Sequence, residues 1–320
     1  MTVKPTQLIQ VCKPTWKTRL YKLWNNRVLL LMCTPAILFF LIFNYIPMPG
    51  AYIAFVNFNY AQGIFGSPFI GFKNFEFLLG NGQLWSLTMN TVFYNLAFIA
   101  TGTIVQIALA IMLNEVGSKW FKKTTQTLMF LPYFISFVLV GLFTYNFLSY
   151  DSGMINNLLV SLGMSKIKFY SEAGYWPWIL TFINLWKGAG YGSVVYLAAI
   201  MGMDSGIVEA AEIDGANAFQ RIRYITLPWL RPTIVILTLF AIGGILKGNF
   251  GLFYNTVGAN NVALYKATDI IETFVFRAMM VNFNFTTGSA VGLYQSVFGF
   301  LLVMLANWVV QRIEPDYALF

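Results

Sequence analysis

Few side chains in this sequence could do chemistry. Histidine is absent, which excludes histidine-dependent triads, zinc–histidine sites and histidine proton relays. The two cysteines, Cys12 and Cys33, lie in a basic N-terminal stretch and in the first apolar run. They are badly placed to pair, and no metal-ligand spacing accompanies them. No GxxxxGK[ST] phosphate loop occurs; "GGILKGN" has the wrong order and lies in an apolar run, so ATP is not bound by that route. Asp151, Glu172, Asp269 and Glu272 show no catalytic spacing. Two features remain. Lys187 is a lone cation in an apolar run, able to donate hydrogen bonds to a polar solute. The stretch "VEAAEIDGANAFQRIRYITLPWLRP", residues 208–232, groups three acids, Glu209, Glu212 and Asp214, with three arginines.

The elements that must position these residues follow from composition. The chain of 320 residues is 58% hydrophobic and 10% charged, whereas a soluble domain carries roughly a quarter charged residues. It cannot cover a water-facing surface and reads as an all-α polytopic membrane protein. A net charge of +8 would suggest nucleic acid in a soluble protein. Here the basic residues cluster between apolar runs, so they set membrane orientation and no nucleic-acid partner is expected. Charge-free windows long enough to cross a bilayer predict six spans, at about 28–47, 86–113, 125–148, 176–201, 230–249 and 288–311. Residues 1–27 form a separate N-terminal segment. Its Trp16, Leu20, Leu23 and Trp24, mixed with basic residues, suit a helix lying in the lipid interface; the other reading is a disordered basic tail. After the first span, Pro49, Gly50, Gly63, Gly66 and Pro68 argue against a second long helix. That stretch reads as an ordered extracytoplasmic segment, with re-entry of 49–58 left open.

With six spans, thirteen basic residues fall on one side and six on the other. The richer side is cytoplasmic, which puts both termini and 208–232 there. The first apolar run lacks a small-residue cleavage site and is long enough to span, so it reads as a retained helix. The interiors of the spans carry no acid. Proton- or sodium-coupled carriers usually need one, so uphill transport would draw its energy from a partner.

Within 208–232, residues 209–214 have a short helical pattern and Gly215 can end it in a left-handed turn. A second short helix covers 216–225. Pro228 and Pro232 then introduce the next span. A compact helix–turn–helix results, with small residues that allow close approach by another protein. The pattern alone leaves a docking element and a solvated loop both open.

The residues "EAAEIDGANAFQRIRYITLPWLRP" resemble the EAA loop of ATP-binding-cassette importer permeases: Glu209-Ala210-Ala211, Gly215, Ile225, Leu227 and Pro228 match the pattern. The form Asp214-Gly215-Ala216 is similar to the carbohydrate-importer branch, relatives of the maltose permeases. "PAILFFLIFNYIPMPGAYIAFVNFN", "FLPYFISFVLVGLF", "WKGAGYGSVVYLAAI" and "SAVGLYQSVFGFLLVMLANWVV" resemble the subgroup that imports oligosaccharides of complex polysaccharides, with the lipoprotein-associated and alginate permeases. The resemblance implies the type I importer permease fold over 28–320, in a bacterial cell membrane. It also implies a coupling role for Glu209, Ala210, Ala211, Asp214, Gly215, Ala216, Leu227 and Pro228. The implied partners are a dimer of a separate ATPase, a second homologous permease and an extracellular sugar-binding protein, besides membrane lipid. No cofactor, metal or catalytic activity is expected. The alternatives are an importer for another small polar solute and a membrane enzyme acting on lipid-linked sugar.

Asn184, Lys187, Gly188 and Tyr191 repeat at helical spacing and share a face. A donor, an amide, an aromatic ring and exposed backbone suit a sugar. In the family, the spans before and after the EAA loop supply sugar contacts, which supports this face and, further on, Gly244, Lys247 and Asn249. The competing reading makes Lys187 a structural tie to a partner permease. Asn90, Asn95, Gln106 and Gln295 read as interhelical hydrogen-bonding groups.

Overall fold

The computed structural model describes residues 25–258 and 260–313. The expected interfacial helix and Cys12 lie outside them. Among the described residues the chain is helical, and its only strand-like pairing is two isolated bridges, Val56 with Phe69 and Asn59 with Gly63.

Among the described residues, those up to Tyr52 form one compact unit and those from Ile53 a second. In the first, α1 (Arg27–Phe40) runs on through a π turn at Leu41–Tyr45, and its apolar side chains, including Leu31, Met32 and Phe43, are exposed. The helical run continues as 3-10 turns to Phe55, 29 residues in all, so the start of the segment whose re-entry was left open extends the first helix.

The second unit contains α2 (Lys73–Gly80), α3 (Gln83–Glu115), α4 (Lys119–Phe134), α5 (Phe137–Leu148), α6 (Met154–Ser161) and α7 (Trp176–Met201). Then come α8 (Ser205–Ile213), α9 (Ala218–Gly243), α10 (Phe250–Val257), α11 (Ile271–Phe276) and α12 (Phe285–Ile313). Two stretches treated as uniform in the sequence are not. The segment 125–148 contains a bend: α4 and α5 meet at 92°. Ser136 restarts the helix by accepting from the Leu139 N–H at 3.4 Å. The segment 230–249 is also different. Its helix begins at Ala218 and stops at Gly243, because the Gly243-Gly244 pair gives little helical preference and the next carbonyls are taken by side chains of other helices.

Glycines set the spacing where helices meet. A side chain at Gly190 would strike the backbone of Met129 in α4, and one at Gly192 would strike the Gln106 side chain of α3. These two positions bring α7 close against both neighbours. Three apolar clusters fill the space between helices: around Leu84, Ile271 and Val291; around Tyr94, Trp176 and Phe253; and around Ala110, Tyr196 and Leu230.

Polar groups inside this bundle bond mostly to backbone at helix ends and in loops, where an apolar solvent offers no partner. Asn90 donates to the Lys266 and Asp269 carbonyls at 3.2 and 3.0 Å. Asn95 donates to those of Ile245 and Lys247 at 3.0 and 3.2 Å. Gln295 donates to Leu246 O at 2.6 Å, and Gln106 to Gly188 O at 3.5 Å. Gln106 thus bonds helix to helix, as expected of these four amides, whereas Asn90, Asn95 and Gln295 tie their helices mainly to backbone at helix ends and in loops.

Candidate functional site

The 208–217 stretch is an elbow built from local caps. Helix α7 ends at Met201, and α8 leaves it at 74°. Asp204 caps α8 by accepting from the Gly206 N–H at 2.9 Å. At the other end Gly215 takes φ +81, and the Ala216 N–H reaches back to Ala211 O at 2.9 Å. That closure is the left-handed glycine stop the sequence suggested. Asn217 and Gln220 then form a reciprocal capping box, at 2.8 and 2.9 Å, that starts α9. Arg221 holds the elbow to the bundle, pairing with Glu212 at 3.2 Å and with Glu115 at the end of α3 at 3.8 Å.

This division leaves Glu209 distinct from Glu212. Glu212 is held by Arg221, whereas the exposed Glu209 carboxylate has no ion-pair partner among the described residues. Beside it Ala210, Asp214 and Gly215 are exposed, and Ala211 and Ala216 half-buried. Ile213 at the tip is 87% exposed, and Phe219 and Tyr224 are exposed on the following turns. Asp214, Gly215, Ala216, Arg221 and Tyr224 help line a surface pocket of about 320 Å³. Leu227 and Pro228 are not at the tip. They lie in α9 itself, just after a π turn at Ile222–Thr226, and Trp229 beside them donates to Ala199 O at 2.9 Å, tying α9 to α7.

The four α7 residues proposed to share a face do share it, but they do different things. Tyr191 is 47% exposed and stacks on Tyr133 of α4, ring centroids 4.5 Å apart. Asn184 is half-buried and makes no side-chain hydrogen bond among the described residues. The Gly188 carbonyl is the acceptor for Gln106. Lys187 donates to the carbonyls of Pro132 at 3.2 Å, Tyr133 at 2.7 Å, and Ile135. An ammonium has three donors, so all are engaged at the end of α4. The sequence missed these acceptors; the available signal was Pro132 inside an apolar run, which marks a break.

Gly244, Lys247 and Asn249 lie on the loop after α9. Asn249 caps α10 by accepting from the Leu252 N–H at 3.1 Å, and Lys247 is exposed. The same loop meets a group that sequence reasoning set aside. Glu272 of α11 accepts from the Gly248 N–H at 2.6 Å and from Gln295 Nε2 at 2.7 Å, both through Oε1. Its Oε2 is buried with no partner among the described residues. Burial raises the Glu272 carboxyl above its ordinary range against these hydrogen bonds and the nearby Lys247. Burial likewise raises Asp269, opposed by Arg277 at 2.5 Å.

Among the described residues no group of three His, Cys, Asp or Glu is placed to hold a metal. A charged elbow between helices long and apolar enough to cross a membrane is the form of a polytopic membrane protein. Comparison with known proteins gives the particular family. The family of binding-protein-dependent transport system inner membrane components matches residues 99–315. The polygalacturonan/rhamnogalacturonan transport system permease protein YteP of Bacillus subtilis (strain 168) is 35% identical, over 94% of this chain and 92% of the relative. Protein LplB of the same organism is 32% identical, over 91% of each. In the crystal structure of a bacterial ABC transporter involved in the import of the acidic polysaccharide alginate, one chain is similar with a TM-score of 0.83. That chain is 34% identical, over 92% of this chain and 99% of its own length. The chain belongs to the binding-protein-dependent permease family; it is a multi-pass membrane transport permease and not an enzyme.

Proposed function

We propose that this chain is one permease subunit of an ATP-driven importer that carries an oligosaccharide, delivered by an extracellular binding protein, into the cytoplasm. The observation that carries the reading is the elbow: locally capped, exposed, and presenting Glu209, which has no ion-pair partner among the described residues, beside the nearly bare Ile213. Such a surface suits a protein partner with a basic group and an apolar cleft. An ATPase subunit meets that description, docked on Glu209, Ala210, Ala211, Asp214, Gly215 and Ala216, with Leu227 and Pro228 fixing the approach of α9. A second, homologous permease would complete the pore as a heterodimer, and 28–320 would form the membrane domain after the 1–27 segment. The sugar would pass along the α7 face of Asn184, Lys187, Gly188 and Tyr191 and near Gly244, Lys247 and Asn249. The names of the relatives, which concern polygalacturonan and alginate transport, support an oligosaccharide cargo.

Two experiments test this. Purification from cells producing the whole system should recover an ATPase and a second permease with this chain, and its binding protein should select oligosaccharides in a ligand screen. Recovery of the chain alone would remove the importer reading; selection of a different small solute would replace the cargo. The membrane side is tested by single-cysteine labelling in a background lacking Cys12 and Cys33. Position 216 and both termini should react only from the cytoplasm, and positions 153 and 259 from outside. The basis is the excess of basic residues on one side.

A further inference from the structure

Helix α4 ends inside the apolar part of the chain. A helix end leaves carbonyls without intrahelical partners, and in hydrocarbon no water takes them. Here one side chain from another helix gathers three carbonyls at that end: Lys187 of α7 donates to Tyr133 and Ile135, and to Pro132, whose carbonyl also accepts the Ile135 N–H at 3.2 Å. Its charge sits at the negative end of the α4 dipole. It also lies 4.9 Å from the Phe137 ring centroid and 5.8 Å from that of Tyr133, where a cation is attracted to the ring face. One turn later Tyr191 stacks on Tyr133. The break between α4 and α5 is therefore fastened to α7 by two residues of α7, and α7 itself leads through Gly202 and Asp204 into the elbow.

We propose that Lys187, although it lies on the face along which the sugar would pass, is a latch and does not itself bind the sugar, its three donors being engaged by carbonyls. It holds the 92° break between α4 and α5 and makes that break follow movements of α7 imposed at the elbow. This rests on the importer reading for its setting. The mechanical link is direct. A displacement of α8 is passed along α7, whose close fit to α4 at Gly190 leaves little slack. The cluster of carbonyls moves with the ammonium until the bonds part. Lys187 is thus a positioning residue, acting on the path through α4 and α5.

The test uses the whole complex in proteoliposomes. Its first reading is ATP hydrolysis without binding protein or sugar, so an error about the cargo does not touch it. Lys187→Met should raise this unstimulated hydrolysis by about tenfold, the scale of losing hydrogen bonds to a charged group. It should also abolish further stimulation by the sugar-loaded binding protein. Lys187→Arg, which can still donate to carbonyls, should restore near wild-type behaviour. The second reading is the distance between spin labels at positions 127 and 146, one on each side of the break. It should be single in the wild type and broadened in Lys187→Met. Unchanged unstimulated hydrolysis with an unchanged label distance overturns the latch, even where uptake falls, and leaves Lys187 as a sugar contact. Should Lys187→Met fail to assemble, Lys187→Gln takes its place. The same uncoupling there supports the latch, and failed assembly in both overturns it in favour of a purely structural cap.

Discussion

The elbow at 202–217 and the break at 135–136 are both sharp changes of helix direction, of 74° and 92°, and they are stabilised in opposite ways. The elbow is shaped by caps within a few positions of its two turns, Asp204 where α8 leaves α7 and Gly215, Asn217 and Gln220 where α9 begins, with the Arg221–Glu115 pair as its tie to α3. The break has local caps, Ser136 and the Ile135 N–H on Pro132 O, but its carbonyls at Tyr133 and Ile135 are met by Lys187, which lies 52 to 55 positions from its three acceptors. A turn that carries its own caps draws most of its shape from its own residues. A turn capped from another helix has the shape that helix allows. The first arrangement suits a fixed contact surface and the second a joint.

The largest expected effect is at Gly215. Its φ of +81 is closed to proline, which is locked near φ −65°. Gly215→Pro should abolish binding-protein-stimulated ATP hydrolysis in the reconstituted complex while the chain still inserts in the membrane. Wild-type hydrolysis would mean that the elbow's shape does not matter for docking. Next is Glu209→Lys, which reverses an exposed charge. A drop of about tenfold in copurified ATPase is expected, in line with a charge-assisted hydrogen bond. Equal recovery of ATPase from both forms would assign the contact to Ile213 instead. The effect of Glu212→Lys should be different in kind, because Glu212 pairs with Arg221 within the chain.

A smaller effect is expected at the end of α9, which resembles the break in being capped from afar by Asn95 and Gln295. There the Glu272 carboxyl is raised by burial. A raised carboxyl favours the protonated state, so its contribution to stability is complete below the ordinary glutamate range and is lost as pH climbs through the folded-state value. Glu272→Gln should remove this dependence. At neutral pH it should also melt higher by roughly 2–4 °C, as expected if the buried carboxylate costs about 1 kcal/mol. Parallel melting curves across pH for the two forms would refute the assignment. The smallest effect should come from Asn217→Ala. It removes half of the capping box and should lower stability by about 1 kcal/mol, read as a modest fall in melting temperature with ATP hydrolysis retained. A complete loss of hydrolysis would show that the elbow is not as self-sufficient as its bonds indicate.

The same contrast explains what the sequence made legible. Gly215 and the EAA pattern could be read directly, because short-range spacing determines both the turn and the cap. The span at 176–201 was legible too, since a charge-poor apolar run bounded by Pro177 and Gly202 has little else to become. Lys187 was visible as an anomaly, but its acceptors were not, because nothing in the pattern around 187 points to Pro132. Glu272 was set aside, for lack of catalytic spacing, and its partners were missed for a related reason. Its surroundings come from the α9 loop and from Gln295, and neither is near it in the chain. The amides Asn90, Asn95, Gln106 and Gln295 could be assigned a kind of work, though not the particular carbonyls they serve.

The tip of the elbow also bears on how the protein is made. Ile213 is 87% exposed, with Phe219 and Tyr224 close behind it in the chain at 72% and 71%. Surface apolar groups of this size favour association with whatever arrives first. A newly synthesised chain without its partners therefore carries a ready handle for chaperones and proteases. On the proposed docking, balanced production of the subunits would cover that handle, whereas overproduction of this chain alone should yield material that is rapidly degraded or aggregated.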